Sequence, residues 1–168
     1  MYPIKAKDDM YGALDKFLKK VSTNGRWLKV LRSDSATEYK SQAYRAVLAK
    51  YGNIKLEFSA PYYKSQNGLA ERMVGTIMPR ALAMLFARGA PAFLWPYAIT
   101  YAAHVTNLLL CSALPDSKTP WEMWYGTVGP ISWLRIFYCE AYVKDEEARK
   151  LGPRSKLHRY LGPSSEAK

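Results

Sequence analysis

Between Arg88 and Asp116 the chain carries no charged residue for 27 consecutive positions. No other feature restricts the fold so sharply, because such a stretch must leave water for a bilayer or for a protein interior. Its length would suffice for a bilayer. Its content does not, since Pro91, Pro96, Thr100, His104, Thr106 and Asn107 interrupt it. Phe93, Tyr97, Tyr101, Val105 and Leu108 recur three and four residues apart, the period of a helix that buries one face. The expectation is a buried helix over 93–110 and no membrane span.

The remainder of the chain must cover that helix. At 168 residues the length allows a sizeable core. Asp8–Val21 places Met10, Leu14, Phe17, Leu18 and Val21 on one helical face, and Ser41–Tyr51 does the same with Tyr44, Val47, Leu48 and Tyr51, with Gly52 as its stop. Trp27–Leu31 and Ile54–Phe58 read as short strands, and Met1–Lys5 as the end of another. A polar loop, Ser59–Gly68, leads into a helix from about Leu69 towards Arg88, with Ser65 or Asn67 as N-cap. Pro79 falls in the middle of that helix and is expected to kink or end it. Thr119-Pro120-Trp121-Glu122 has the form of a capped start with proline at the first helical position, and Gly126 stops it. Trp133–Phe137 and Glu140–Val143 read as strands, and the charged segment 144–168 is broken at Gly152-Pro153 and Gly162-Pro163. Strands alternating with helices indicate an α/β layer architecture.

Charge narrows the partner. The formal net charge is +11, from 25 Lys and Arg against 14 Asp and Glu. The excess is spread, with 12 basic and 6 acidic residues in 1–60 and 13 and 8 in 61–168. A basic body favours a polyanion, nucleic acid before an anionic membrane. Two cysteines, Cys111 and Cys139, cannot form a disulfide scaffold or a four-cysteine zinc site, which fits a reducing, intracellular setting. There is no glycine-rich phosphate loop and no Gly-x-Ser-x-Gly elbow. His104 and His158 lie far from each other and from any cysteine at zinc spacing, and His104 reads as a core residue.

Two carboxylates stand at special places. Asp34 follows a predicted strand, where functional groups gather in open α/β sheets. Glu71 falls in the first turn of the helix after the polar loop. Each position also has an ordinary explanation, a turn for Asp and the helix dipole for Glu. Brought together, two carboxylates call for a cation such as Mg²⁺, and paired ions can clamp the oxygens of a phosphodiester.

These residues carry a family resemblance. Leu31-Arg32-Ser33-Asp34-Ser35-Ala36-Thr37-Glu38-Tyr39 resembles the strand-end motif of copia-type retrotransposon integrases, Leu-Arg-Ser-Asp-Asn-Gly-Gly-Glu-Tyr. Ser59-Ala60-Pro61-Tyr62 with Gln66-Asn67-Gly68-Leu69-Ala70-Glu71-Arg72 resembles their Ser-x-Pro-Tyr and Gln-Asn-Gly-x-Ala-Glu-Arg segments. The 36 residues between Asp34 and Glu71 are close to the family's spacing. Lys118-Thr119-Pro120-Trp121-Glu122, Leu134-Arg135-Ile136-Phe137-Tyr138-Cys139 and Gly152-Pro153-Arg154-Ser155-Lys156 continue the likeness in order along the chain.

The resemblance implies a ribonuclease H-like α/β fold, followed by helices and a small β-containing C-terminal extension. It implies a partial catalytic core over 1–126 and the extension, with a basic tail, over 127–168. It also implies Mg²⁺- or Mn²⁺-dependent DNA 3′-end processing and strand transfer with two ions, carried by an Asp, Asp, Glu triad. Asp34 would be the second member and Glu71 the third, both as metal ligands. Lys64, Gln66, Asn67 and Arg72 would position DNA. The partners implied are element ends and target DNA, with a possible homo-oligomer and no small-molecule substrate. The setting would be the nucleus or a virus-like particle, and the chain would be an N-terminally truncated piece of a Gag-Pol polyprotein.

The departures from the family matter as much. Met1–Lys5 matches the third strand of the family's sheet, so the first two strands and the first Asp have no counterpart here. Asp8 and Asp9 read as helix N-terminal charges rather than substitutes. Ser35-Ala36-Thr37 replaces Asn-Gly-Gly, where glycine ordinarily serves unusual dihedrals or close approach. The expectation is therefore a chain inactive by itself in strand transfer. The alternative is a non-catalytic nucleic-acid-binding remnant or a domesticated interaction module.

Overall fold

The computed structural model describes residues 1–23, 25–34, 36–59 and 68–163. It divides into two compact units, Tyr2–Val74 and Gly75–Lys168, with Met1 counted in the second.

The first unit is built on two helices and a parallel pair of strands. Helix α1 spans Asp9–Thr23, and α3 spans Gln42–Ala49 behind a single turn, α2, at Thr37–Lys40. Strands β1 (Val30–Ser33) and β2 (Lys55–Phe58) pair in parallel with Leu31 opposite Leu56 and Arg32 opposite Glu57. Because side chains alternate along a strand, this register separates an apolar face from a charged one. Leu31 and Leu56 join the core of Leu14, Leu18, Tyr44, Val47 and Leu48. On the other face Arg32 and Glu57 form an ion pair at 2.9 Å. Helix α3 starts as the sequence indicates: the Ser41 hydroxyl accepts the Tyr44 N–H. Past its end Gly52 takes φ +102°, a conformation that disfavours any residue with a Cβ.

Met1–Lys5 does not form the expected strand. The Lys5 and Ala6 amides instead donate to Asp9 Oδ2, at 3.1 and 3.0 Å, and bend the chain into the start of α1. Asp9 thus has the helix-start role expected of it. Strand β1 also begins at Val30 rather than Trp27, and Trp27 is left 71 % exposed.

The second unit is mainly helical. Helix α4 runs unbroken over Gly68–Ala87, so its first turns fall in the first unit. Pro79 lies inside it and does not end it. Proline forfeits one hydrogen bond, to the carbonyl four residues back, while Ile77, Ala81 and Leu85 still bury their side chains. Tertiary burial outweighs that local loss. Helix α5 covers Trp95–Asn107, preceded by a 3-10 turn at Ala92–Leu94. It is shorter than the predicted 93–110 because Pro96 sets its first turn and Leu108 its cap. Ala98, Ile99, Tyr101 and Ala102 of α5 pack with Ile77, Ala81, Leu85, Leu94 and Phe137. The uncharged stretch thus finds a protein interior, and no helix among the described residues is long and apolar enough to cross a membrane.

Helix α6 (Pro120–Tyr125) has both arms of a capping box, and Gly126 closes it in the left-handed region. Strands β3 (Glu140–Lys144) and β4 (Ser155–Arg159) form an antiparallel hairpin. Trp133–Phe137 is not a strand. Ile131–Trp133 forms a 3-10 turn, and the Tyr101 hydroxyl takes over both backbone groups of Arg135, donating to its carbonyl and accepting its N–H at 3.2 Å. With those groups satisfied, no strand neighbour is required. His104 is partly buried and stacks against Tyr101, with Trp121 edge-on.

Candidate active site

The segment that ends β1 is tied down residue by residue. Arg32 Nη2 reaches Glu57 Oε2, and Lys55 Nζ reaches Glu57 Oε1 at 3.0 Å. These cations hold the Glu57 carboxyl below its ordinary range, Arg32 first by hydrogen bond and Lys55 next. Ser33 is buried, and its Oγ finds no hydrogen-bond partner among the described residues. Its carbonyl accepts the Ser59 N–H at 2.9 Å, carrying the strand pairing one step beyond β2.

Asp34 comes next, exposed beyond the carboxyl end of β1. Its Oδ1 accepts the Ala36 N–H at 3.3 Å, a two-residue turn that aspartate makes readily. Glu38 pairs with Lys7 at 2.6 Å, and the Lys7 hydrogen bond holds its carboxyl below the usual range. Tyr39 packs edge-on against Tyr44 at 5.4 Å. Burial pushes the Tyr39 hydroxyl upward, and the Asp34 and Glu38 charges add to the shift. Tyr44, deeper in the core, is pushed by burial to about 12.

Glu71 and Arg72 lie in the first turns of α4, both exposed. A carboxylate there opposes the positive end of the helix dipole. Lys64, Gln66 and Asn67 lie outside the described residues, as does the predicted N-cap at Ser65 or Asn67. No hydrogen bond or ion pair joins Asp34 to Glu71 among the described residues. Nor do three His, Cys, Asp or Glu side chains come together there as a metal-binding group. The described donor set therefore does not fit a pair of divalent ions.

Sequence reading gave no role to Arg32, Glu38 or Glu57. The charge alternation of 54–58 signals a strand but not its partner. Only the parallel register brings Glu57 opposite Arg32.

Comparison with known proteins places this arrangement. No family model matches the chain. The retrovirus-related Pol polyprotein from transposon TNT 1-94 of Nicotiana tabacum is 32 % identical over 158 residues, covering 92 % of this chain and 12 % of that polyprotein. Nearly the whole of this chain is thus similar to one stretch of a retrovirus-related Pol polyprotein. An uncharacterized mitochondrial protein of Arabidopsis thaliana is 35 % identical over 81 residues, covering 48 % of this chain and 66 % of that protein. The chain thus spans about an eighth of the polyprotein and just under two thirds of the mitochondrial protein.

The fold agrees with this similarity. A chain of the simian T-cell lymphotropic virus intasome, solved in complex with PP2A regulatory subunit B56 gamma, superposes with a TM-score of 0.56 at 19 % identity, over 90 % of this chain and 52 % of that one. The HTLV-2 integrase catalytic core domain, solved in complex with magnesium in a trimeric form, matches 64 % of each chain at 25 % identity with a TM-score of 0.49. The intasome match carries the fold alone, in keeping with the ribonuclease H-like α/β class expected from the sequence.

Proposed function

We propose that this Pol-polyprotein segment is an integrase core whose own residues bind DNA but do not complete strand transfer. Asp34 and Glu71 are two of three carboxylates in an ancestral Mg²⁺- or Mn²⁺-dependent site for 3′-end processing and DNA joining. Lys64, Gln66, Asn67 and Arg72 position the DNA, and 127–168 serves as an extension to the core over 1–126. The setting is intracellular, in the nucleus or a virus-like particle, and self-association is part of the proposal.

One observation carries the inactive state. The described carboxylates, imidazoles and thiols do not assemble as a group of three. Two carboxylates alone leave a divalent ion short of charge neutralisation and hold no second ion in place.

The test is strand transfer by the purified 168-residue chain, with a duplex bearing a recessed 3′-hydroxyl end and supercoiled target DNA, in Mg²⁺ and in Mn²⁺. The expected result is no joined product above the protein-free control in either metal. Joined product that vanishes with Glu71→Gln overturns the inactive reading and makes the chain a strand transferase.

A further inference from the structure

The two-stranded sheet of the first unit has an outer edge on β2. Lys55 and Ser59 donate their N–H groups to the Lys29 and Ser33 carbonyls, each at 2.9 Å, so these residues face β1. In a parallel pair the residues between, here Leu56 and Phe58, turn their N–H and C=O groups the other way. Those outward groups find no partner among the described residues. Side chains alternate as well, so Leu56 and Phe58 share one face of β2. On that face both line an open pocket of about 380 Å³, which β2 shares with α3. Leu48 and Ile54 add to its apolar lining, and Arg45 and Asn53 are its polar members.

The charge at this pocket is fixed by contact. Arg45 lines it, is exposed, and forms no ion pair among the described residues. Lys40 holds its Nζ 5.4 Å from the centre of the Phe58 ring, itself part of the lining. Glu57, the one carboxylate of β2, lies on the opposite face, where Arg32 and Lys55 hold it. Unpaired N–H and C=O groups at strand spacing are matched by another extended backbone. A phosphate backbone carries acceptors only and would leave the Leu56 and Phe58 carbonyls unpaired. A second copy of β2 would bring Leu56 and Phe58 to the pocket side and no carboxylate for Arg45 or Lys40. An acidic segment meets complementary charge instead. We propose that β2 accepts an added strand from a partner protein, an extended segment whose apolar side chains enter this pocket and whose carboxylates meet Arg45 and Lys40.

The test uses the full chain and a fluorescein-labelled synthetic peptide of about eight residues, with Thr at every second position and Val or Glu between. One counterpart has Lys in place of Glu. Two others carry N-methyl groups, either on the Val and Glu residues or on the Thr residues, which removes alternate main-chain donors and keeps the side chains. By fluorescence anisotropy the acidic peptide is expected to bind about tenfold more tightly than the Lys peptide. One of the two methylated peptides is expected to bind about tenfold more weakly than its parent, because only alternate residues of an added strand face β2. Arg45→Gln is expected to weaken the acidic peptide about fivefold. Lys16→Gln, which removes the same charge from an exposed position of α1 outside the pocket, leaves binding unchanged. Both positions are exposed, and circular dichroism checks that each variant folds. Equal binding of the acidic and Lys peptides, parental affinity in both methylated peptides, or an unaltered affinity in Arg45→Gln overturns the proposal. So does an oligonucleotide that displaces the peptide and is weakened equally by Arg45→Gln, since the pocket would then serve nucleic acid. A concentration-dependent dimer in sedimentation velocity that excess peptide dissociates also overturns it, since the edge would then serve a second copy.

Discussion

Ser33 and Asp34 are neighbours held under opposite conditions. Asp34 is exposed and makes a turn bond to Ala36. Ser33 is buried with a hydroxyl that finds no partner among the described residues. A buried, unpaired hydroxyl carries a desolvation cost of about 1–3 kcal/mol, and removing it relieves that cost. Ser33→Ala is therefore expected to raise stability by about 1 kcal/mol, read as a higher urea midpoint with unchanged slope. A loss of stability would mean that Ser33 does find a partner in solution. Glu38 and Arg32, by contrast, hold salt links that fix the motif around Asp34. Several residues of the family-like motif thus have structural work independent of chemistry.

At the scale of elements, what the sequence revealed depended on whether the deciding interaction was local. The capping box of α6 could be read from Thr119 and Glu122 alone, because both arms close within four residues: the Thr119 hydroxyl accepts the Glu122 N–H at 3.1 Å, and Glu122 accepts the Thr119 N–H at 2.8 Å. The helices α1 and α3 were equally legible from their apolar period. The strand expected at Trp133–Phe137 failed because Tyr101, 34 residues earlier, claims the backbone of Arg135. Strand β4 was missed because Ser155–Arg159 is exposed throughout and has no apolar alternation to betray it. Pro79 does not end α4, since its local cost is real but smaller than the burial on either side. For the candidate site, Asp34 and Glu71 could be picked out by position, but the register that sets Arg32 against Glu57 could not. Helix α6 has only six residues, so it leans on its cap. Thr119→Ala is expected to cost about 1–2 kcal/mol, measured by urea unfolding. A change below a few tenths would show that packing by Trp121 and Tyr125 holds the helix without its cap.

At the scale of the whole molecule, charge is the property that any DNA-binding role must use. With +11 over 168 residues, and its basic residues distributed along the chain, the molecule has no single tail to account for affinity. Binding should arise from several Lys and Arg side chains meeting phosphates at once, each contact releasing condensed counterions. If four phosphates are neutralised, log K should fall with log salt at a slope of about −3.5, so affinity drops roughly a hundredfold between 50 and 200 mM salt. The measurement is anisotropy of a labelled duplex titrated with the chain across that range. Asp34→Asn separates the roles. Removing one negative charge from a basic body leaves affinity equal or slightly higher if Asp34 takes no part in holding DNA. A flat salt dependence would exclude the electrostatic footprint. A steep slope together with a sharp loss in Asp34→Asn would place that carboxylate at the DNA itself, where only a cation between it and phosphate reconciles the two negative charges.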